Sequence, residues 1–284
     1  MSLEEKKSSN PIKKDFSVNK SLSTDKIAED VNILGSFCGK RDLNTLTQTE
    51  LKDKYGITQA DVMVLFGGSI ICGGDILAEA ILNKVSKKYV IVGGSGHTTE
   101  ALRMKINALF PEMKTANFPE AELFQCYLKN KYNLRADFLE CKSTNCGNNI
   151  SCLLDLLHEN KIECKTIIIS QDATMQRRME ACLRKSSDMT IISYATYRAT
   201  VVNDNGVLKF SDDILGMWSI DRYINLLMGD IARMNDDENG YGPKGKNFIS
   251  HVDIPDEVMN AYLELKQISG YKVREANPLY ANIK

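Results

Sequence analysis

Short apolar runs alternate with amphipathic stretches along most of this chain. Residues 60–66, with Val62, Val64 and Leu65, are nearly continuously apolar, and 166–170 are built around Ile167, Ile168 and Ile169. Runs of this kind suit parallel strands covered on both faces. Weaker strand patterns fall at 88–92, 137–141 and 190–194. Between them the 3.6-residue period predicts helices near 76–85, 98–110, 119–132, 150–160 and 175–184. Two more precede the first strand: 24–38, capped by Ser23-Thr24-Asp25 with Ile27, Val31, Leu34 and Phe37 on one face, and 46–55. Such alternation predicts a mainly parallel sheet of about five strands, helices on both faces and right-handed crossovers. After Tyr197 the rhythm stops. Residues 200–211 read as a hairpin turning at Asn203-Asp204-Asn205-Gly206, 213–232 and 256–266 as helices, and the Gly-rich, charged stretch 236–246 as a mobile flap. The chain thus divides into a flexible tail (1–22), an α/β domain with its N-terminal helices (23–198) and a small, mostly helical lobe or lid (199–284) packed on the cleft.

Each strong strand ends in a polar or glycine-rich turn, where an α/β sheet presents its working groups. Gly67-Gly68 follows the first strand and Gly93-Gly94-Ser95-Gly96-His97 the second. Glycine lets a ligand approach bare backbone, and the N–H groups of a following helix attract an anion; a tight turn without a ligand is the alternative. No GxGxxG and no GxxxxGK[ST] occurs. Asn145 and Asn149 flank a helix start. Asn145 is an N-cap or a ligand contact, and Asn149 an amide able to donate and accept at the same cleft. No residue is assigned to catalysis. The candidates are Asp172 at the end of the strongest strand, His97 as base or donor, and Glu120 opening a helix. Arg178 is the guanidinium best placed to fork onto a carboxylate or phosphate. Lys244 brings positive charge on the flap.

Composition changes the picture only by exclusion. The formal net charge of −1 argues against a general nucleic-acid binder. The eight cysteines show no CxxC and no zinc-like spacing, so no metal is implied, and they read as thiols in a reducing compartment. No apolar run reaches the length of a membrane span, and Met1 to Lys20 lack the apolar core of a secretory signal. The expected setting is cytoplasmic, with no membrane partner.

The residues now named resemble the YdcF, SanA and ElyC family of bacterial α/β proteins, most closely its YdcF branch. The features shared with the family are Gly67-Gly68, Gly93-Gly94, Glu120-Ala121, Ser143-x-Asn145-x-x-x-Asn149 and Arg178. Those shared with the branch are Ser143-Thr144-Asn145-Cys146-Gly147, Thr174-Met175-Gln176-Arg177-Arg178, the Gly-Tyr-Gly-Pro of 237–244 and His251-Val252-Asp253. The likeness covers nearly everything after about residue 25. It implies a Rossmann-like fold and binding of S-adenosylmethionine, with no reaction established for the branch; membrane-anchored relatives are associated with envelope and lipid-carrier metabolism. One departure matters: the histidine that precedes the family's arginine is Met175 here.

Three functions are consistent with these residues. The first is a protein binding a nucleoside-type or anionic small molecule, S-adenosylmethionine among them, through Gly67, Gly68, Gly93, Gly94, Asn145, Asn149, Arg178 and Lys244. The second is a hydrolase or transferase acting on a phosphate-bearing small molecule, against which Met175 weighs. The third is a non-catalytic metabolite sensor whose lobe closes over its ligand.

Overall fold

The computed structural model describes residues 22–68, 70–96 and 98–268. The expected tail at 1–22 falls almost wholly outside them, as does His97. In chain order the elements are α1 (Thr24–Cys38), α2 (Gln48–Tyr55), β1 (Ala60–Phe66), α3 (Cys72–Leu82), β2 (Ser86–Val92), α4 (Thr99–Leu109), α5 (Glu120–Tyr132), β3 (Phe138–Glu140), α6 (Cys146–Glu159), β4 (Thr166–Ser170), α7 (Gln176–Ser186), β5 (Thr190–Ser193), β6 (Val201–Asp204), β7 (Val207–Phe210), α8 (Ile220–Met234) and α9 (Asp256–Lys266).

The apolar runs become a five-stranded, all-parallel sheet in the order β3-β2-β1-β4-β5. β1 lies at its centre, with Val64 opposite Val90 on one side and Ile169 on the other. Successive strand side chains point to opposite faces, so two cores form. Val62, Val64, Phe66, Val92, Ile167 and Ile169 pack beneath α1, α6, α7, α8 and α9. Met63, Leu65, Ile91, Ile168 and Ile192 pack beneath α2, α3, α4 and α5. This is an α/β fold of Rossmann-like order. The chain reverses its direction of growth between β1 and β4, and the crevice outside their carboxyl ends is where such sheets take ligands.

The last third of the chain joins the first of these cores. α8 contributes Tyr223, Ile224, Leu227, Met228 and Ile231 to it, and α9 contributes Val258, Ala261 and Leu265. α1 packs against α8, α9 and the antiparallel β6–β7 hairpin. The stretch 236–246, expected as a mobile flap, is part of a folded loop that runs on to 253. The Tyr241 N–H donates to the Arg233 carbonyl, and those of Phe248 and Ile249 donate to Tyr241. A Cβ on Gly240 would stand 1.7 Å from the Asn235 carbonyl oxygen, and one on Gly245 2.3 Å from that of Gly240. Its glycines are there because the chain folds back on itself.

Candidate functional site

The turns at the carboxyl edge are tied to one another. After β1, Gly67 donates to the Val92 carbonyl at 2.6 Å. A Cβ on Gly67 would meet Glu120 Oε2 at 2.6 Å and Gly93 Cα at 3.2 Å. After β2, the Gly94 N–H donates to Ser143 Oγ at 3.2 Å, and a Cβ there would lie 2.1 Å from the Ser143 carbonyl oxygen. After β3, Glu140 Oε1 accepts from the Lys142 and Ser143 N–H groups and holds that turn. After β4, Gln171 Nε2 donates to the Gly67 carbonyl at 3.3 Å. Beyond these turns α6 and α7 pack side by side, with the Cys146 thiol near the Arg178 guanidinium.

Much of this rim is spent on the protein itself. Gly67, Gly93 and Gly94, expected to face a ligand, are buried and give way to Glu120 and the Ser143 carbonyl instead. Glu120 itself is buried, its Oε1 accepting from the hydroxyls of Thr98 at 3.1 Å and Thr99 at 2.9 Å. Burial pushes its carboxyl up from the ordinary range, partly countered by those hydroxyls and by Arg103. Asp172 is an architectural hub. Its Oδ1 accepts from the Thr174 N–H, the Thr174 hydroxyl and the Tyr197 phenol at 2.9, 2.9 and 2.7 Å. Its Oδ2 accepts from the Trp218 indole at 2.8 Å. Three of these four donors share Oδ1 and one meets Oδ2, so most of the acceptor capacity of the carboxylate is used within the protein. Burial and the Asp172 charge hold the Tyr197 phenol firmly protonated, as its donor role requires.

Trp218 belongs to a strap, residues 211–219, that crosses the mouth on the α3 side. The Leu215 carbonyl accepts from the Cys72 N–H at 3.3 Å, the first residue of α3. Lys105 Nζ donates to the Gly216 carbonyl at 2.6 Å, and Lys105 and Arg222 lie over the indole at 5.1 and 5.5 Å. The first helix after β1 offers its N-terminal amides to a phosphate in dinucleotide-binding sheets. Here the chain's own carbonyl takes one of them.

Gly68, Asn145, Asn149 and Arg178 complete the set of rim residues expected to meet a ligand. Gly68 is half-buried, and a Cβ there would meet only Gln171 Oε1, at 3.5 Å. Asn145 caps α6, accepting from the Asn148 N–H at 3.1 Å. Asn149 is half-buried one turn further on. Its backbone N–H bonds to Asn145, and among the described residues its carboxamide has no partner. Arg178 gives its Nε to Asp230 of α8. Burial opposes its charge, but Asp230 and Cys146 outweigh burial and hold it well above its ordinary value. No second oxygen acceptor among the described residues meets the rest of this guanidinium.

Lys244 stands on the loop that follows α8, away from the Trp218 end of that helix. α8 starts beside Trp218 and runs 15 residues away from it, about 22 Å. The loop carrying Lys244 follows its far end and docks on the later turns of α7 through Ala181, Arg184 and Lys185. Surface depressions of about 400 and about 310 Å³ also lie elsewhere, around Asp61 and Lys165 and around His251 and Lys244. Sequence reasoning missed Tyr197, Trp218 and Asp230. Trp218 was hidden inside an expected helix at 213–232, although Gly216 and the Ser219 cap mark the break. No three His, Cys, Asp or Glu side chains converge as a metal site among the described residues, and no described helix is long and apolar enough to cross a membrane.

The sheet order and the linked turns define the class: a Rossmann-like α/β protein with polar turns at the carboxyl edge of its sheet. No protein-family model matches the chain.

Proposed function

We propose that this chain is a YdcF-type protein that binds a polar, anionic small molecule of nucleoside type in the crevice between Gly68, Asn145, Asn149 and Arg178. S-adenosylmethionine is the first ligand to try. The observation that carries this reading is the Asn149 carboxamide, which has no partner among the described residues on a rim where its neighbours are bonded. An amide so placed can pair with both a donor and an acceptor on a heterocycle or sugar. A ligand carboxylate suits the start of α6 and the Arg178 guanidinium. The bonds already made by Glu120 and Asp172 favour binding without turnover over hydrolysis. The protein works in the cytoplasm, as eight free thiols suit.

Titration calorimetry with S-adenosylmethionine, S-adenosylhomocysteine and AMP tests this. We expect saturable binding of at least one, and Asn149→Ala to weaken it about tenfold, the value of one lost hydrogen bond, with an unchanged melting temperature. Absence of saturable heat with all three at millimolar concentration overturns the proposal.

A further inference from the structure

The junction of α1 and α9 holds a charge arrangement that ordinary ionisation does not satisfy. Asp30 on α1 is wholly buried, and its Oδ1 accepts from Lys26 Nζ at 2.7 Å. Lys26 also stands 3.4 Å from Glu264 Oε2 on α9 and 3.4 Å from Glu29. Three carboxylates therefore surround one ammonium. Asp30 Oδ2 and Glu264 Oε2 are both buried and, apart from the Lys26 ammonium 3.4 Å from Glu264 Oε2, neither has a donor among the described residues. One ammonium, Lys26 Nζ, stands 2.7 Å from Asp30 and 3.4 Å from Glu264, which gathers the two carboxyls side by side. Two buried carboxylate oxygens gathered on one ammonium are each costly when unsatisfied. One proton between them removes both orphans and one charge.

We infer that Asp30 and Glu264 share a single proton, and that this proton fastens α9 to α1. Among the described residues Lys26 is the only cation in ion-pair contact with either carboxyl, and Glu29 the only other charge on that ammonium; β6, β7, α7 and α8, which also pack on α1, bring no ion pair to Asp30 or Glu264. Burial and Glu264 raise the Asp30 carboxyl above its ordinary 3.8 while Lys26 opposes them. A folded-state value above the unfolded one gives stability that is full below 3.8 and is lost as pH rises through the folded-state value. The junction is thus an acid-side latch that weakens toward alkaline pH.

Asp30→Asn places a permanent N–H toward Glu264 while its remaining oxygen still accepts from Lys26. Melting curves of wild type and Asp30→Asn are compared from pH 5 to 8, so that the titration of His251, common to both, cancels. We expect the wild-type Tm to fall relative to the variant by about 3 °C across that range, and Glu264→Gln to flatten the profile likewise. A constant offset between wild type and both variants overturns the inference. Carboxyl-carbon NMR of the wild-type protein decides the same point without any variant. A shared proton requires Asp30 or Glu264 to titrate above the ordinary carboxylate range; ordinary titration of both overturns it.

Discussion

At the scale of single residues, the glycines of the rim divide into two kinds. Gly94 is held against backbone: a Cβ would stand 2.1 Å from the Ser143 carbonyl oxygen and 2.9 Å from that of Cys141. Neither neighbour is a flexible side chain, so the turns after β2 and β3 would have to part. We expect Gly94→Ala to lower stability by about 1–3 kcal/mol, read as a fall in Tm. Gly68 faces open space apart from Gln171, and Gly68→Ala should leave Tm unchanged while weakening whatever ligand enters. Asp172 makes the complementary case. Asp172→Asn keeps the shape but turns one acceptor into a donor facing the Thr174, Tyr197 or Trp218 hydrogens. A buried donor left unsatisfied costs about 1–3 kcal/mol, and chemical denaturation should show a loss of that size. A variant as stable as wild type would contradict the hub described for this residue.

Among the elements, α6 shows how one sequence signal serves two ends. Asn145 ends the turn after β3 and bonds the Asn148 N–H; Asn145→Ala should cost about 1 kcal/mol by loss of the cap, measurable by denaturant titration. Asn149 on the next turn carries no such load. The strands were legible because burial on both faces requires continuous apolar runs, and β1 and β4 occur where Ile167–Ile169 and Val62–Leu65 place them. Helix starts were less legible. α3 begins at Cys72, ahead of Gly73 and Gly74, because the Leu215 carbonyl, 143 residues later in the chain, accepts from its first amide. α8 begins at Ile220 rather than near 213, since Gly216 takes φ +80° and Ser219 caps the Arg222 N–H. At the site, the motif spacing located the turns, but it could not show which polar groups the protein uses up internally. Glu120 and Asp172 read as available acids from sequence, and only their distant partners Thr98, Thr99, Tyr197 and Trp218 reveal otherwise.

For the whole molecule, the Arg178–Asp230 pair ties the crevice to the last third of the chain. Both side chains are buried. Removing one partner strands the other's charge, so Arg178→Met should cost about 3–5 kcal/mol, while Arg178→Met with Asp230→Leu should recover most of it; thermal unfolding of the two variants checks this. Stability at the acid end rests elsewhere. Burial opposes the charge on Asp61, but Lys87 and the Lys165 and Thr166 N–H groups hold its carboxyl down at about 2. That contribution is present above the ordinary 3.8 and is lost as pH falls toward 2. Asp61→Asn should accordingly flatten the fall in Tm between pH 4 and 2. The strap over α3 has one more consequence. Trp218 is the chain's only tryptophan, and its indole is hydrogen-bonded to the carboxylate at the end of β4. The molecule therefore carries its own optical probe at the mouth of the crevice: any compound that shifts the strap changes the ultraviolet emission of unlabelled protein, and a metabolite library can be screened by that colour change alone.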